Sequence, residues 1–393
     1  MEREDDVAER HHLTYSMNVH ATESVEALVH ALDTITGPVA RAVNAERAMG
    51  AGMWLPAPLA NELRHDPRAL MEVRRALARN GLFALTLNAF PYRGFHDARV
   101  KERVFAPAWD DRARVSYTLD CAAVLAELLP LGVVGSISTV PIGLASALSQ
   151  TARFAALSNV RAAAEGLVEL ERVSGRRIVL ALEPEPCGEL QTVDDAIAWI
   201  ERLLPDRDDP LRAVLGVCLD ACHEAVAGTD AAAALARLLD RGITLGKIQV
   251  TSALEVEAPG SNAAGLERLR GFIEPRYFHQ TSVRAADGTM RMFPDLEVFF
   301  AAWDAGDVPR AASRVRSHFH VPVFAAPRGG MTTTRRETEA LLAAVARAGI
   351  RTTLEVETYT FDVVPADERA ELGATTLAQL IERELRWTGE ALR

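Results

Sequence analysis

Eight short apolar stretches alternate with stretches of helical spacing along this chain, and that alternation leaves few folds open to it. The period-two pattern predicts strands over residues 12–20, 49–54, 82–88, 133–139, 214–220, 244–251 and 352–357. A further strand, fifth in chain order, begins at Arg177 and ends in Glu183-Pro184-Glu185-Pro186. Helical periodicity predicts helices over 24–32, 66–80, 110–129, 149–174, 192–204, 231–240, 332–348 and 377–387, with Gly81 and Gly175 as stop signals. In the fifth strand Ile178, Leu180 and Leu182 share one face, while Val179, Ala181 and Glu183 share the other. Strands apolar on both faces belong to parallel sheets covered by helices. Eight strand–helix units predict an α/β fold, a (β/α)8 TIM barrel, as a single domain over 1–393. The alternation stops after strand seven, so 252–330 is expected as a long insertion over the barrel mouth, with a hairpin over 277–293 turning at Asp287-Gly288. The aromatic stretch from Phe90 to Trp109 is expected to fold over the same mouth.

The chemistry of such barrels sits at the C-terminal ends of the strands. Strands five, six and eight finish on Glu183, Asp220 and Glu357. One strand-end carboxylate reads equally as a loop charge or a helix cap. Three on one rim repel by on the order of several kcal/mol at low effective dielectric, and a bound divalent cation removes that cost. His223 follows Asp220 at a spacing that lets both serve one metal, lets the imidazole hold substrate, or lets it cap the next helix. Glu185 has the parity to follow Glu183 into the site or to cap a helix. Gln249, at the end of strand seven, offers an amide, a weak ligand beside an imidazole. His318 and His320 flank Phe319 and share a face; His320 is expected as a ligand, whereas His279 on the hairpin is not. Asn18, His20, Trp54 and Asn88 are expected to line the pocket with hydrogen-bonding groups and an aromatic wall suited to a sugar, or else to pack the lumen. Gly329 to Thr334 reads as ordinary helix capping or as a site for an anion.

The chain is 49% hydrophobic and 25% charged, which is ordinary for a folded globular protein. A net charge of −11 without a basic block argues against nucleic acid or an anionic membrane surface and suits a cation. The acidic start Met1 to Asp6 lacks an apolar core, and no apolar run is long enough to span a bilayer, so a cytoplasmic location without membrane insertion is expected. Four cysteines in this length make no disulfide framework, and Cys218 and Cys222 read as small buried hydrophobes.

The strand-end Leu-Glu-Pro, the Asp-x-x-His after strand six and the closing Glu of strand eight resemble the xylose isomerase-like TIM barrels. More narrowly, the strings HLTYSMNVH, LTLNAFPY, GSISTVPIG, LEPEP, GVCLDACH, GKIQVTSAL, HFHVPVF and LEVETYTFDV are similar to metabolite traffic proteins of the EboE type, over most of the chain. The broad resemblance implies a divalent metal (Mn²⁺, Zn²⁺ or Mg²⁺) held by Glu183, Asp220 and Glu357. The strand-seven histidine of that pattern has no counterpart here, since Gln249 stands in its place, and His320 is the candidate to replace it. The narrow resemblance implies work beside other proteins of a pathway that makes and moves a metabolite. Two functions are therefore expected. One is a metal-dependent isomerase or epimerase of a sugar or cyclitol, with Glu183 and Glu357 exchanging a proton with carbon and Asn18, His20, Trp54, Asn88, Glu185, His223 and Gln249 holding substrate. The other is a non-catalytic carrier or scaffold for such a metabolite. A nuclease is disfavoured by the charge.

Overall fold

Eight parallel strands form the central sheet: β1 (His12–Tyr15), β2 (Met49–Trp54), β3 (Leu82–Asn88), β4 (Gly135–Thr139), β5 (Ile178–Leu182), β6 (Leu215–Asp220), β7 (Thr244–Val250) and, after the insertion, β13 (Thr353–Val356). The computed structural model describes residues 11–326, 328–373 and 376–393. The strands lie in the order β1-β13-β7-β6-β5-β4-β3-β2, and a parallel bridge between Ser16 and Gly52 joins the two ends, so the sheet closes as a TIM barrel.

The alternation read from the sequence decides which side chain goes where. Ile178, Leu180 and Leu182 join the core between barrel and helices, whereas Val179 and Ala181 turn inward, where they approach the α-carbon side of Gly246 across the lumen. Helix starts are fixed by side chains that accept from free N–H groups. Asp66 caps Pro67–Arg79, Ser149 caps the long helix Gln150–Ser174, and Thr192 with Asp195 forms a capping box at Val193–Leu203. Gly175, at φ +70°, ends the long helix in the left-handed conformation. Among the described residues no helix is long and apolar enough to cross a membrane.

The first strand is shorter than its alternation implies. It stops at Tyr15, and Met17–Val19 winds into a 3₁₀ turn closed by His20 N–H donating to the Met17 carbonyl (3.0 Å). The insertion is more regular than expected. It builds a second, antiparallel sheet from β8 (Leu254–Glu257), β9 (Thr281–Arg284), β10 (Met290–Phe293), β11 (Arg314–Ser317) and β12 (Thr332–Thr333), in the order β10-β9-β11-β8-β12. The hairpin is β9–β10, with Gly288 at φ +88° in its turn. Two helices, Ala263–Arg270 and Leu296–Ala305, complete it, and Leu254, Val283, Phe299, Phe300, Val315 and Phe319 belong to its own apolar core.

The lumen floor is polar. Lys247 forms an ion pair with Glu355, both fully buried, in a layer just below the strand-end carboxylates. Arg114, also fully buried, donates to the carbonyls of Ala89 (2.6 Å), Phe90 (3.1 Å) and Pro107 (2.8 Å) and so pins both ends of the aromatic loop over the mouth.

Candidate metal centre

Strand parity and register bring the carboxylates together. Glu183 follows β5 directly, Asp220 ends β6, and Glu357 follows β13. All three are at least 96% buried, and one oxygen from each lies within 4.8 Å of the others. Glu183 Oε2 and Asp220 Oδ2 are buried without a hydrogen-bond partner among the described residues. Such orphaned anionic oxygens are costly unless something positive meets them. Burial, together with the charge of Asp220, pushes the Glu183 carboxyl up to about 8, and burial together with Glu183 pushes Glu357 well above the usual carboxylate range. Three oxygen donors at this spacing fit a divalent ion.

Asp220 also organises the helix after it. Its Oδ1 accepts from His223 N–H (2.9 Å), capping the helix Ala221–Ala227, and from Thr251 Oγ1 (2.7 Å), which leaves Oδ2 aimed into the mouth. The capped helix holds His223 against the carboxylates, and its Nδ1–H donates to the Pro184 carbonyl (2.9 Å). The segment after β11 delivers the other imidazoles. Phe319 turns into the insertion core and stacks on His279 (centroids 4.5 Å apart), so His318 and His320 on either side of it turn into the mouth. Burial lowers both imidazoles, His318 well below its ordinary value and His320 to about 4.

The expected pocket residues divide into two groups. Asn18 and Asn88 reach the site, but as holders of Glu357: both side-chain amides donate to its Oε1, at 2.6 and 2.9 Å. Glu185 lines the same cavity, accepts from Gln280 Nε2 (2.6 Å) and is pushed up to about 8 by burial. His20 and Trp54 fall outside that lining. Because β1 ends early, His20 leaves the alternation and meets Tyr15 Oη through Nε2 (2.9 Å). Trp54 lies behind the wall, its indole N–H donating to Pro91 O (3.0 Å) and its ring edge-on to Phe95. Gln249 sits in register with Asp220 and Glu355, and neither amide atom has a partner among the described residues. His279 is excluded as a ligand, since Nδ1 meets the His318 carbonyl (2.7 Å) and Nε2 meets Glu274 (2.6 Å). At Gly329 to Thr334, Met331 N–H donates to Arg328 O, Thr332 and Thr333 pair with β8, and Thr334 N–H donates to Ala253 O, which counts against the anion reading.

Three residues were not assigned to the site from the sequence: His318 inside the cluster, Gln280 bonded to its Nδ1 (2.6 Å), and Tyr359 beside His320 (centroids 4.9 Å apart). The His-x-His spacing carried the signal for His318; nothing local marked Gln280. The cavity above the carboxylates is walled by Phe90, Phe95, Val100, Tyr277, Phe278 and Tyr359.

No family model matches the chain, and no curated protein matches it. Among solved structures, a xylose isomerase-like TIM barrel protein from Mycobacterium smegmatis in complex with magnesium matches over 100% of both chains at 13% identity, with a TM-score of 0.51. The IolI protein with a bound zinc atom matches over 97% of this chain and 98% of its own at 12% identity (TM-score 0.49). The 3-keto-D-glucoside 4-epimerase YcjR from E. coli matches over 97% and 99% at 13% identity (TM-score 0.45). The chain has the xylose isomerase-like TIM barrel fold.

Proposed function

We propose that this chain is a divalent-metal-dependent isomerase or epimerase of a sugar or cyclitol. The observation that carries the reading is the trio Glu183, Asp220 and Glu357, buried, within 4.8 Å of one another, and left with unpartnered oxygens on two of its members. These three residues would hold the ion. When bound, the cation polarises a carbonyl or hydroxyl of the substrate and acidifies the neighbouring C–H. Glu183 and Glu357 come from β5 and β13, on different sides of the barrel mouth, so one takes the proton from carbon and the other returns it. Asn18 and Asn88 fix the Glu357 carboxylate through one oxygen and leave the other to face the ion and the substrate. Glu185 and His223 line the cavity and supply polar contacts, while the aromatic wall keeps water from the reacting carbon. The EboE-type resemblance adds the proposal that the substrate belongs to a metabolite-making and metabolite-moving pathway whose other proteins are partners.

A non-catalytic carrier of the same kind of metabolite is the second reading, and one observation favours it: Gln249 puts an amide where an imidazole would strengthen metal binding. Solvent exchange separates the two. In D₂O an isomerase or epimerase places deuterium on the reacting carbon of a ketose or cyclitol, and Glu357→Gln stops the exchange while ligand binding stays measurable. Binding without exchange for every polyol tested overturns the enzymatic reading.

A further inference from the structure

The imidazoles of His223, His318 and His320 meet nitrogen to nitrogen. Nε2 of His318 lies 3.3 Å from Nε2 of His223 and 3.0 Å from Nε2 of His320. The other nitrogen of each ring is already committed as a donor. Nδ1–H of His223 gives to the Pro184 carbonyl (2.9 Å), that of His318 to Gln280 Oε1 (2.6 Å) and that of His320 to the Glu357 carbonyl (2.9 Å). The Gln280 orientation is fixed independently, because its Nε2 must donate to Glu185 Oε1 and Pro186 O. As neutral rings all three therefore carry a lone pair on Nε2, and lone pairs this close have no hydrogen to share.

The same spacing is what a metal requires. Zn–N bonds of about 2.0–2.1 Å in tetrahedral array put neighbouring nitrogens about 3.3 Å apart. The partners at Nδ1 orient the rings and raise their basicity, as outer partners of metal-bound imidazoles do. A carboxylate oxygen completes the set: Asp220 Oδ2, fully buried and unpartnered, lies 4.0 Å from His223 Nε2 and 3.9 Å from His320 Nε2.

We propose that His223, His318, His320 and Asp220 bind a second divalent transition ion, beside the one assigned to Glu183, Asp220 and Glu357, with Asp220 shared between the two. The pairing rests on the carboxylate reading, but the histidine site stands on its own donors. Imidazole donors select Zn²⁺, Co²⁺ or Ni²⁺ over Mg²⁺, so the two positions differ in metal preference. The insertion supplies His318 and His320, which makes it a metal-binding part of the mouth as well as its cover.

The test is metal content by elemental analysis of the full chain after loading with Zn²⁺ and gel filtration, joined to X-ray absorption at the zinc edge. Wild type is expected to hold about two equivalents with imidazole-rich coordination. His318→Ala and His223→Ala should each lose about one equivalent and the imidazole scattering, Glu183→Gln should lose the other equivalent, and Asp220→Ala should lose both. Zinc lost from His318→Ala but kept by Glu183→Gln supports the histidine site even where the carboxylate reading fails. Circular dichroism controls for folding, and His318→Gln keeps a hydrogen-bonding side chain at the position where truncation unfolds the chain. Unchanged zinc in His318→Ala and His318→Gln, or a wild-type zinc spectrum without imidazole scattering, overturns the proposal.

Discussion

Replacing Lys247 by Met removes one half of an ion pair that has no contact with water. Lys247 and Glu355 are both 0% exposed, and the lumen above them holds further carboxylates. Two unit charges at about 3 Å with an effective dielectric of about 20 attract by about 5 kcal/mol. Breaking such a pair from one side leaves a buried charge uncompensated, which costs about 3–5 kcal/mol. Lys247→Met should therefore lose about that much stability at neutral pH, read from the urea midpoint by tryptophan fluorescence and circular dichroism at unchanged slope. Glu355→Gln added to Lys247→Met removes the stranded charge and should restore at least half of the loss. A loss below about 1 kcal/mol in the single variant, or a double variant no more stable than the single, would refute the reasoning that places these charges in a sealed layer.

Glu224 is buried, accepts from Val193 N–H (2.7 Å) and Thr229 Oγ1, and is pushed up to about 7 by burial. A raised folded-state pKa means its contribution is fully present below pH 4.5 and lost as pH rises through about 7, so Glu224→Gln should gain stability on wild type over that window in pH-resolved urea melts. A gain at pH 4 equal to that at pH 8, or none at pH 8, contradicts the assignment. At Gly52 an added Cβ would lie 1.9 Å from Glu355 Oε1 and 2.7 Å from the Tyr15 carbonyl, so Gly52→Ala should cost about 1–3 kcal/mol in the same melts; wild-type stability would show that the β1–β2 seam is not tightly closed.

The barrel was legible because its signal is periodic and long-range packing agrees with it. The faces assigned to β5 follow from alternation alone, and Glu183, Asp220 and Glu357 converge because each ends a strand of fixed parity. His20 and Trp54 were misplaced for the converse reason: alternation says nothing about a strand that ends early or a ring that packs behind a loop. Apart from the β9–β10 hairpin, which its Asp-Gly turn marked, the insertion sheet was hidden because its strands are four residues or fewer, too short for a pattern to stand out. Gln280 was invisible because its role depends on a contact with Glu185, 95 residues away in the chain.

Phe319 has a consequence beyond its own packing. It is one of the points at which the insertion meets the barrel mouth, its ring in one core and its two neighbours in the other compartment. The insertion residues that reach the mouth are confined to the stretch from Tyr277 to Gln280 and to His318 and His320, so changes of charge and surface elsewhere in the insertion leave these contacts in place. Remodelling of the cover is therefore confined to its outer helices and turns, because the segment that carries Phe319 also carries two imidazoles of the mouth.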